Sequence, residues 1–276
     1  MIAWFNGDLL PLGGINIAAT DRGFLLGDGF FETMAAQNGH IVRFKNHMER
    51  LKLTSKKLNL PLPYSPEEIE QAIKDILLAS QLTTCRAAIR LTITRGSGPR
   101  GLMPPLEITP NVLISASEAP EDYSAAIVKT VTRVRRNEFS PTSTIKSLCY
   151  MDNIFAIQEA KEAGADEALL LNTSGHIAEG TVSNIFFIEG DTLLTPQVSD
   201  GVLPGTARKA TLNCARQLGL KVVEKSLSPD ILQSCDEAFL TNSLYRVRTI
   251  YEIDGRRIPQ DVWTLKLLSA LKAQET

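Results

Sequence analysis

Short apolar strand patterns and amphipathic helical patterns interleave along the whole chain, and this alternation limits the fold more than any single residue does. "AWFNGDLLPLGGINI" reads as two short strands around an Asn6-Gly7 turn. "DRGFLLGDGFFETMAAQNGHIVRF" continues with a glycine-rich bend, a strand and a second Asn-Gly hairpin. In "FKNHMERLKLTSKKLNL", Phe44, Met48, Leu51 and Ser55 recur at helical spacing. The clearest helix is "SPEEIEQAIKDILLASQL": Ser65 is placed to cap it, Pro66 suits the first helical position, and Glu67 and Glu68 favour the positive helix end. "CRAAIRLTITRG" and "TPNVLISASEA" follow as strands, with the loop "RGSGPRGLMPP" between them. In the second half, "AAIVKTVTRV" is a strand, a helix follows Lys146 and stops at Gly164, and "EALLLNTSGHIAEGTVSNIFFIEGDTLLTP" is a meander with Ser-Gly and Gly-Asp turns. "PGTARKATLNCARQLGL" is a helix, "DEAFLTNSLYRVRTIYEIDGRRI" adds strands, and the chain ends in a helix around "VWTLKLLSALK". Strands and helices mixed in both halves predict an α/β or α+β fold of packed layers.

A length of 276 residues favours two domains. The polar, proline-containing "SEAPEDYSA" marks the boundary, giving a first domain over 1–118, a linker over 119–124 and a second domain over 125–276 that carries Lys146. A formal net charge of −2 gives no electrostatic reason to expect nucleic acid or an anionic membrane as partner. No apolar run approaches the ~20 residues that cross a bilayer, and "MIAWFNGDLL" lacks the features of a signal peptide, so a cytoplasmic location is expected. Four widely spaced cysteines without a CxxC pair, and only three histidines, argue against a metal site or a disulfide framework.

Five short stretches could carry chemistry. Lys146, after "SPTST", is an amine that becomes a covalent carrier or general base only where its surroundings tune it. Glu179 stands among Ala178, Gly180 and Thr181, small neighbours that let a bulky ligand approach. Buried there, its carboxylate needs a partner, and a protonated heterocyclic nitrogen is one. Pro204 and Gly205 lead into a helix, so the amides of Thr206 and Ala207 are free donors suited to phosphate. Thr241, Asn242 and Ser243 cluster hydroxyl and amide groups at a strand end, and Arg50 offers a guanidinium shaped for phosphate. Each is more often an ordinary surface or turn residue. Together they are what pyridoxal 5′-phosphate requires: an amine for its aldehyde, an acid at its ring nitrogen and a grip on its phosphate.

Seven motifs in order then carry a resemblance: "DRGFLLGDGFFET" (21–33), "HMERL" (47–51), "TRGSGPRG" (94–101), "IKSLCYMDNI" (145–154), "DEALLLNTSGHIAEGTVSNIF" (166–186), "GVLPGTAR" (201–208) and "TNSLYRV" (241–247). Over nearly its whole length the chain resembles the class IV aminotransferase family, the fold-type IV pyridoxal-phosphate enzymes. The resemblance implies an N-terminal α/β two-layer sandwich and a C-terminal α/β pseudobarrel, with the cofactor between them, in a homodimer. It implies that Lys146 carries the cofactor and acts as the base, that Glu179 bonds the ring nitrogen, and that Arg50, the Thr206 and Ala207 amides and Ser243 hold the phosphate. Thr33, Phe31, Arg100 and Asn242 are the candidates for contact with a substrate that bears an amine and a carboxylate.

Within that family the compact length, "GDGFFET", "TRGSGPRG" and Asn242-Ser243-Leu244 look most like 4-amino-4-deoxychorismate lyase, which yields 4-aminobenzoate and pyruvate on the route to folate. The alternative is an aminotransferase acting on D-amino acids, branched-chain amino acids or amines. A more distant one is a ligand-binding homologue without chemistry. The Arg-x-His trap often seen in the D-amino-acid enzymes is incomplete, since Leu102 follows Arg100 where His would stand, and Cys149 occupies a position that is often Asn.

Overall fold

The structure, a computed structural model, describes residues 1–259 and 261–275. The chain divides into two units: Met1–Glu121 with Lys146–Cys149, and Asp122–Ile145 with Tyr150–Thr276. Among the described residues no helix is long and apolar enough to cross a membrane.

The first unit is a six-stranded antiparallel sheet under two helices. Its elements are β1 (Ile2–Phe5), β2 (Asp8–Pro11), the short α1 (Arg22–Leu26), β3 (Gly29–Gln37), β4 (His40–Ile41), α2 (Phe44–Leu58), α3 (Pro66–Ala79), β5 (Arg86–Thr94) and β6 (Asn111–Glu118). The strand order is β2-β1-β6-β5-β3-β4. Both Asn-Gly turns form as expected: Asn6 and Asn38 take positive φ values of 50° and 49°, which the tight hairpin needs and which Asn tolerates. Ser65 accepts from the Glu68 amide while the Glu68 carboxylate accepts from the Ser65 amide, a capping box that fixes the start of α3. The core fills the space between one face of the sheet and the helices: Phe30, Met34 and Ala36 of β3, Ile89, Leu91 and Ile93 of β5 and Ile114 of β6 meet Met48 and Leu51 of α2 and Ile69, Ile73 and Ile76 of α3.

The second unit contains β7 (Ala126–Thr130), α4 (Met151–Glu162), β8 (Glu167–Leu171), β9 (Ile177–Gly180), β10 (Asn184–Glu189), β11 (Thr192–Thr195), α5 (Thr206–Gln217), β12 (Lys221–Glu224), α6 (Ile231–Ser234), β13 (Glu237–Asn242), β14 (Arg246–Ile253), β15 (Arg256–Arg257) and α7 (Val262–Ala273). Its nine strands form one mixed sheet, β12-β11-β10-β13-β14-β7-β8-β9, with β15 on β14, which curves as a half-barrel. Strands buried on both faces read as continuous apolar runs, as in "NIFFIE". One face packs Phe186 and Phe239, stacked at 5.1 Å, against α5 and α7. The other encloses Ile185, Phe187, Leu240 and Ile250.

One expectation changes. The sequence pattern sets Lys146 at the start of a helix in the second domain. The helix begins only at Met151, and residues 146–149 group with the first unit, where Ser147 bridges Phe30 of β3. The cause is an open strand edge. β4 is two residues long and pairs only with Ala36 and Gln37, so the Gly29–Phe31 end of β3 has backbone groups to offer. The lysine segment takes them: Phe31 N–H donates to the Lys146 carbonyl at 2.9 Å, and Leu148 N–H to the Gly29 carbonyl at 3.1 Å.

Candidate active site

β3 carries two kinds of chemistry on opposite faces, because side chains alternate along a strand. Its unbroken register with β5 pairs Phe31 with Thr92 and Thr33 with Arg90, so these four share the face away from the helices. There the Lys146 ammonium lies 4.4 Å from the Phe31 ring centroid, and the Arg90 guanidinium lies 3.8 Å from the same centroid. An aromatic face attracts cations, so Phe31 steadies both. The close docking of the lysine segment requires Gly29: a Cβ there would meet the Ile93 carbonyl oxygen at 2.4 Å and Leu148 Cδ1 at 2.7 Å. Gly29→Ala is therefore expected to cost about 1–3 kcal/mol and to loosen the Lys146 segment. Denaturant melts, with hydrogen exchange at Phe31 and Leu148, check both.

On the helix face, Glu32 interrupts the apolar series Phe30, Met34 and Ala36. It is 1% exposed. Arg50 of α2 grips it side-on, Nε to Oε1 at 2.7 Å and Nη2 to Oε2 at 2.6 Å, and His47 Nδ1 lies 2.7 Å from Oε2. Burial alone would raise the Glu32 carboxyl, but the Arg50 charge and the bonds from Arg50 and His47 hold it down to about 2. Burial also lowers His47, and outweighs the pull of Glu32 in the other direction. The neutral ring then donates Nδ1–H to the carboxylate. Arg50 is thus oriented by buried Glu32, which His47 holds in turn, on the helix side of β3.

A second polar knot shapes the motif before β3. Asp21 caps α1, accepting from the Gly23 and Phe24 amides, the Thr94 hydroxyl and the Asn111 amide. Asp28 accepts from Arg22 and Arg95, each at 2.8 Å. Arg22 also donates to the carbonyls of Gly101 and Leu102, which pins the loop that carries Arg100. Arg100 itself is exposed and makes no described hydrogen bond or ion pair, whereas Arg90, not singled out from sequence, stands beside Phe31 and Lys146. Cys149 Sγ lies 3.8 Å from the carbonyl oxygen of the left-handed Gly27.

The second unit holds the carboxylate and the helix start. Glu179 in β9 is 5% exposed. Its Oε1 pairs with Arg136 Nη2 at 2.8 Å, and its Oε2 accepts from the Leu203 amide at 2.9 Å and from Asn184 Nδ2 at 3.4 Å. Asn184 also donates to the Leu203 carbonyl, which ties β10 to the turn before α5. Gly205 is required in that turn, because a Cβ would lie 2.2 Å from Asn184 Oδ1. α5 then begins at Thr206 with no side-chain cap, so its first amides point out of the helix end. Thr206 Oγ1 lies 3.2 Å from Ser243 Oγ, bringing the two hydroxyls together at the same helix end. Asn242 serves the adjoining turn: its Oδ1 accepts from the Leu244 and Tyr245 amides. Beneath the turn after β9, buried Glu167 accepts from the Thr181 amide and hydroxyl and from Ser183.

The profile of the family Amino-transferase class IV matches residues 29–253. The chain belongs to this family. Class IV aminotransferases are pyridoxal-phosphate enzymes, so this chain is one that acts with that cofactor. A Methanocaldococcus jannaschii protein provisionally assigned as a branched-chain-amino-acid aminotransferase is 34% identical over 262 residues, 94% of this chain and 90% of that protein. The branched-chain aminotransferase of Thermoproteus uzoniensis, solved with norvaline, superposes with a TM-score of 0.90 at 28% identity, covering 99% of this chain and 93% of that one. A Legionella pneumophila protein provisionally assigned as a 4-amino-4-deoxychorismate lyase superposes with a TM-score of 0.86 at 27% identity, covering 95% and 96%. Each unit carries groups of the kind this cofactor takes: the first holds an amine over an aromatic ring, and the second holds a buried carboxylate and, at a helix start, two hydroxyls behind a glycine that admits no Cβ. The relatives favour transamination over the lyase reaction that the sequence placed first.

Proposed function

We propose that the chain is an aminotransferase that exchanges the amino group between branched-chain amino acids and 2-oxo acids, working as a homodimer. The pairing of Lys146 and Arg90 over Phe31 is the observation that carries this reading. A transaminase must hold a carboxylate while an amine works beside it, and a guanidinium is well shaped for a carboxylate. Relatives named for branched-chain substrates supply the substrate class. Exposed apolar side chains on the first unit, Phe24, Leu25, Leu102, Met103 and Leu106, support a second copy as partner.

Lys146 is the covalent attachment point and the general base. Glu179 bonds the ring nitrogen, and the Thr206 and Ala207 amides, with the Thr206 and Ser243 hydroxyls, hold the phosphate. Arg50, oriented by Glu32, gives a further phosphate contact. Bound pyridoxal phosphate supplies an electron sink for the charge left when a proton leaves the amine-bearing carbon. Lys146 Nζ removes that proton. Where that proton goes separates the two activities: a transaminase would return it to the cofactor, and a lyase would give it to the departing enolpyruvyl group, which leaves as pyruvate.

Arg90→Met is expected to raise KM for leucine and for glutamate alike by about tenfold, the loss of one charge-assisted contact to the carboxylate both carry. Steady-state kinetics with both substrates check this. An unchanged KM for both would remove Arg90 from the carboxylate-holding role. The lyase is the second reading, kept by the Legionella neighbour. Release of 4-aminobenzoate from aminodeoxychorismate, with no amino transfer from leucine or isoleucine, would overturn the aminotransferase assignment.

A further inference from the structure

Arg136 belongs to no motif that the resemblance uses, yet the fold fixes it with unusual care. Its backbone is stapled to the end of β8: Arg136 N–H donates to the Leu171 carbonyl at 2.8 Å, and Thr173 N–H donates to the Arg136 carbonyl at 3.1 Å. Its side chain is held at three points. Nε donates to the Gly201 carbonyl at 3.2 Å, Nη2 donates to the Ser143 carbonyl at 3.1 Å, and Nη2 pairs with Glu179 Oε1 at 2.8 Å. The two carbonyls come from separate loops, so the guanidinium is anchored independently of Glu179. A surface ion pair of flexible side chains has no such anchoring.

We propose that Arg136 is a positioning residue that sets the proton balance between Glu179 and the cofactor's ring nitrogen. The inference rests on Glu179 as the ring nitrogen's partner and does not depend on which amino acid is the substrate. The physical argument has two parts. A carboxylate 5% exposed is costly to ionise unless a cation is in contact with it. Arg136 is that cation, so it lowers the affinity of Glu179 for a proton. A proton shared between Glu179 and the ring nitrogen then stays on the nitrogen, where it makes the ring electron-poor, and the carboxylate meets it as an anion. The guanidinium touches the carboxylate directly, so it weighs first on that group's proton affinity. The second part is aim. Arg136 holds Oε1 while the Leu203 amide holds Oε2, so the carboxylate plane is set from both sides before any ligand arrives. Preorganisation of this kind spares the site a reorganisation during the reaction.

The test uses the full-length protein loaded with pyridoxal phosphate labelled with nitrogen-15 in the ring, in wild type, Arg136→Met, Arg136→Lys and Glu179→Gln. The ring-nitrogen chemical shift is read by NMR across pH, alongside cofactor affinity and kcat. In Arg136→Met the shift is expected to move from its protonated position toward the unprotonated one, with kcat down about tenfold, the effect of one pKa unit at the carboxylate. Arg136→Lys should restore a good part of both. A wild-type shift in Arg136→Met, with only a lower melting temperature, would overturn the proposal and leave Arg136 as scaffold. A wild-type shift in Glu179→Gln would overturn it differently, by removing Glu179 from the ring nitrogen. Neither result bears on the branched-chain substrate, which the kinetic assays decide separately.

Discussion

Lys146→Ala is expected to lower turnover by about 10⁴-fold, the upper range for loss of a general base, while leaving the fold intact. The side chain is half-buried, with its ammonium over the Phe31 ring. The backbone bonds that hold the segment to β3 come from the Lys146 carbonyl and the Leu148 amide, and alanine keeps both. Borohydride reduction of the loaded wild type should lock the cofactor onto the peptide containing Lys146, and the same treatment of the variant should not. Label on another lysine would refute the assignment. Retained turnover in the variant would do so as well.

Glu32→Ala is expected to be strongly destabilising, at about 3–5 kcal/mol, because it leaves the Arg50 guanidinium buried without its counter-charge and the His47 Nδ1–H without its acceptor. Its effect depends on pH in a defined direction. Glu32 is held at about 2 against an ordinary 4.5, a difference worth about 3 kcal/mol by linkage. A carboxyl lowered in the folded state stabilises fully above its unfolded value. That contribution is present above about pH 4.5 and is lost as pH falls toward about 2. His47, lowered by burial, acts in the same direction: its contribution is whole above its ordinary 6.5 and declines as pH drops below that. Urea midpoints of wild type and Glu32→Ala should therefore converge between pH 7 and pH 3. A constant gap would show that Glu32 is held by packing rather than by charge. Cofactor affinity of the same variant, measured at pH 7 where the protein is still folded, reports whether Arg50 needs Glu32 to grip phosphate.

Legibility of the fold followed the range of the interactions. The two Asn-Gly hairpins, the Ser65-Pro66 helix start and the Gly164 helix end depend on a few neighbouring residues, and all form where the sequence predicts them. The candidate site was legible in part. Lys146, Glu179, Thr206 and Ser243 belong to stretches with a local signature, whether a lysine after a polar turn or a glycine before a helix. Arg90 and Glu32 had only a faint signal, a charged residue at one position of an alternating strand, and it does not say what the charge meets. That depends on β3–β5 pairing for Arg90 and on the docking of α2 for Glu32. Arg136 gave no local signal, because its partners lie on β9 and in the loops at Ser143 and Gly201.

The sequence by itself determined most of the longer strands and helices, the tight hairpin turns, which family the chain resembles, and which lysine and glutamate to examine. It could do so because propensity, capping and turn chemistry act over a few residues. Only the tertiary structure decided that Lys146 sits on the open edge of β3 rather than at a helix start. It alone decided that Arg50 answers to a buried carboxylate, that Arg90 rather than Arg100 shares a ring with the lysine, and that Glu179 is set by Arg136. These pairings join residues 18 to 115 positions apart, from Glu32 and Arg50 to Phe31 and Lys146. A strand edge left open by a two-residue neighbour becomes a binding partner only once the sheet has formed, and no local propensity records it.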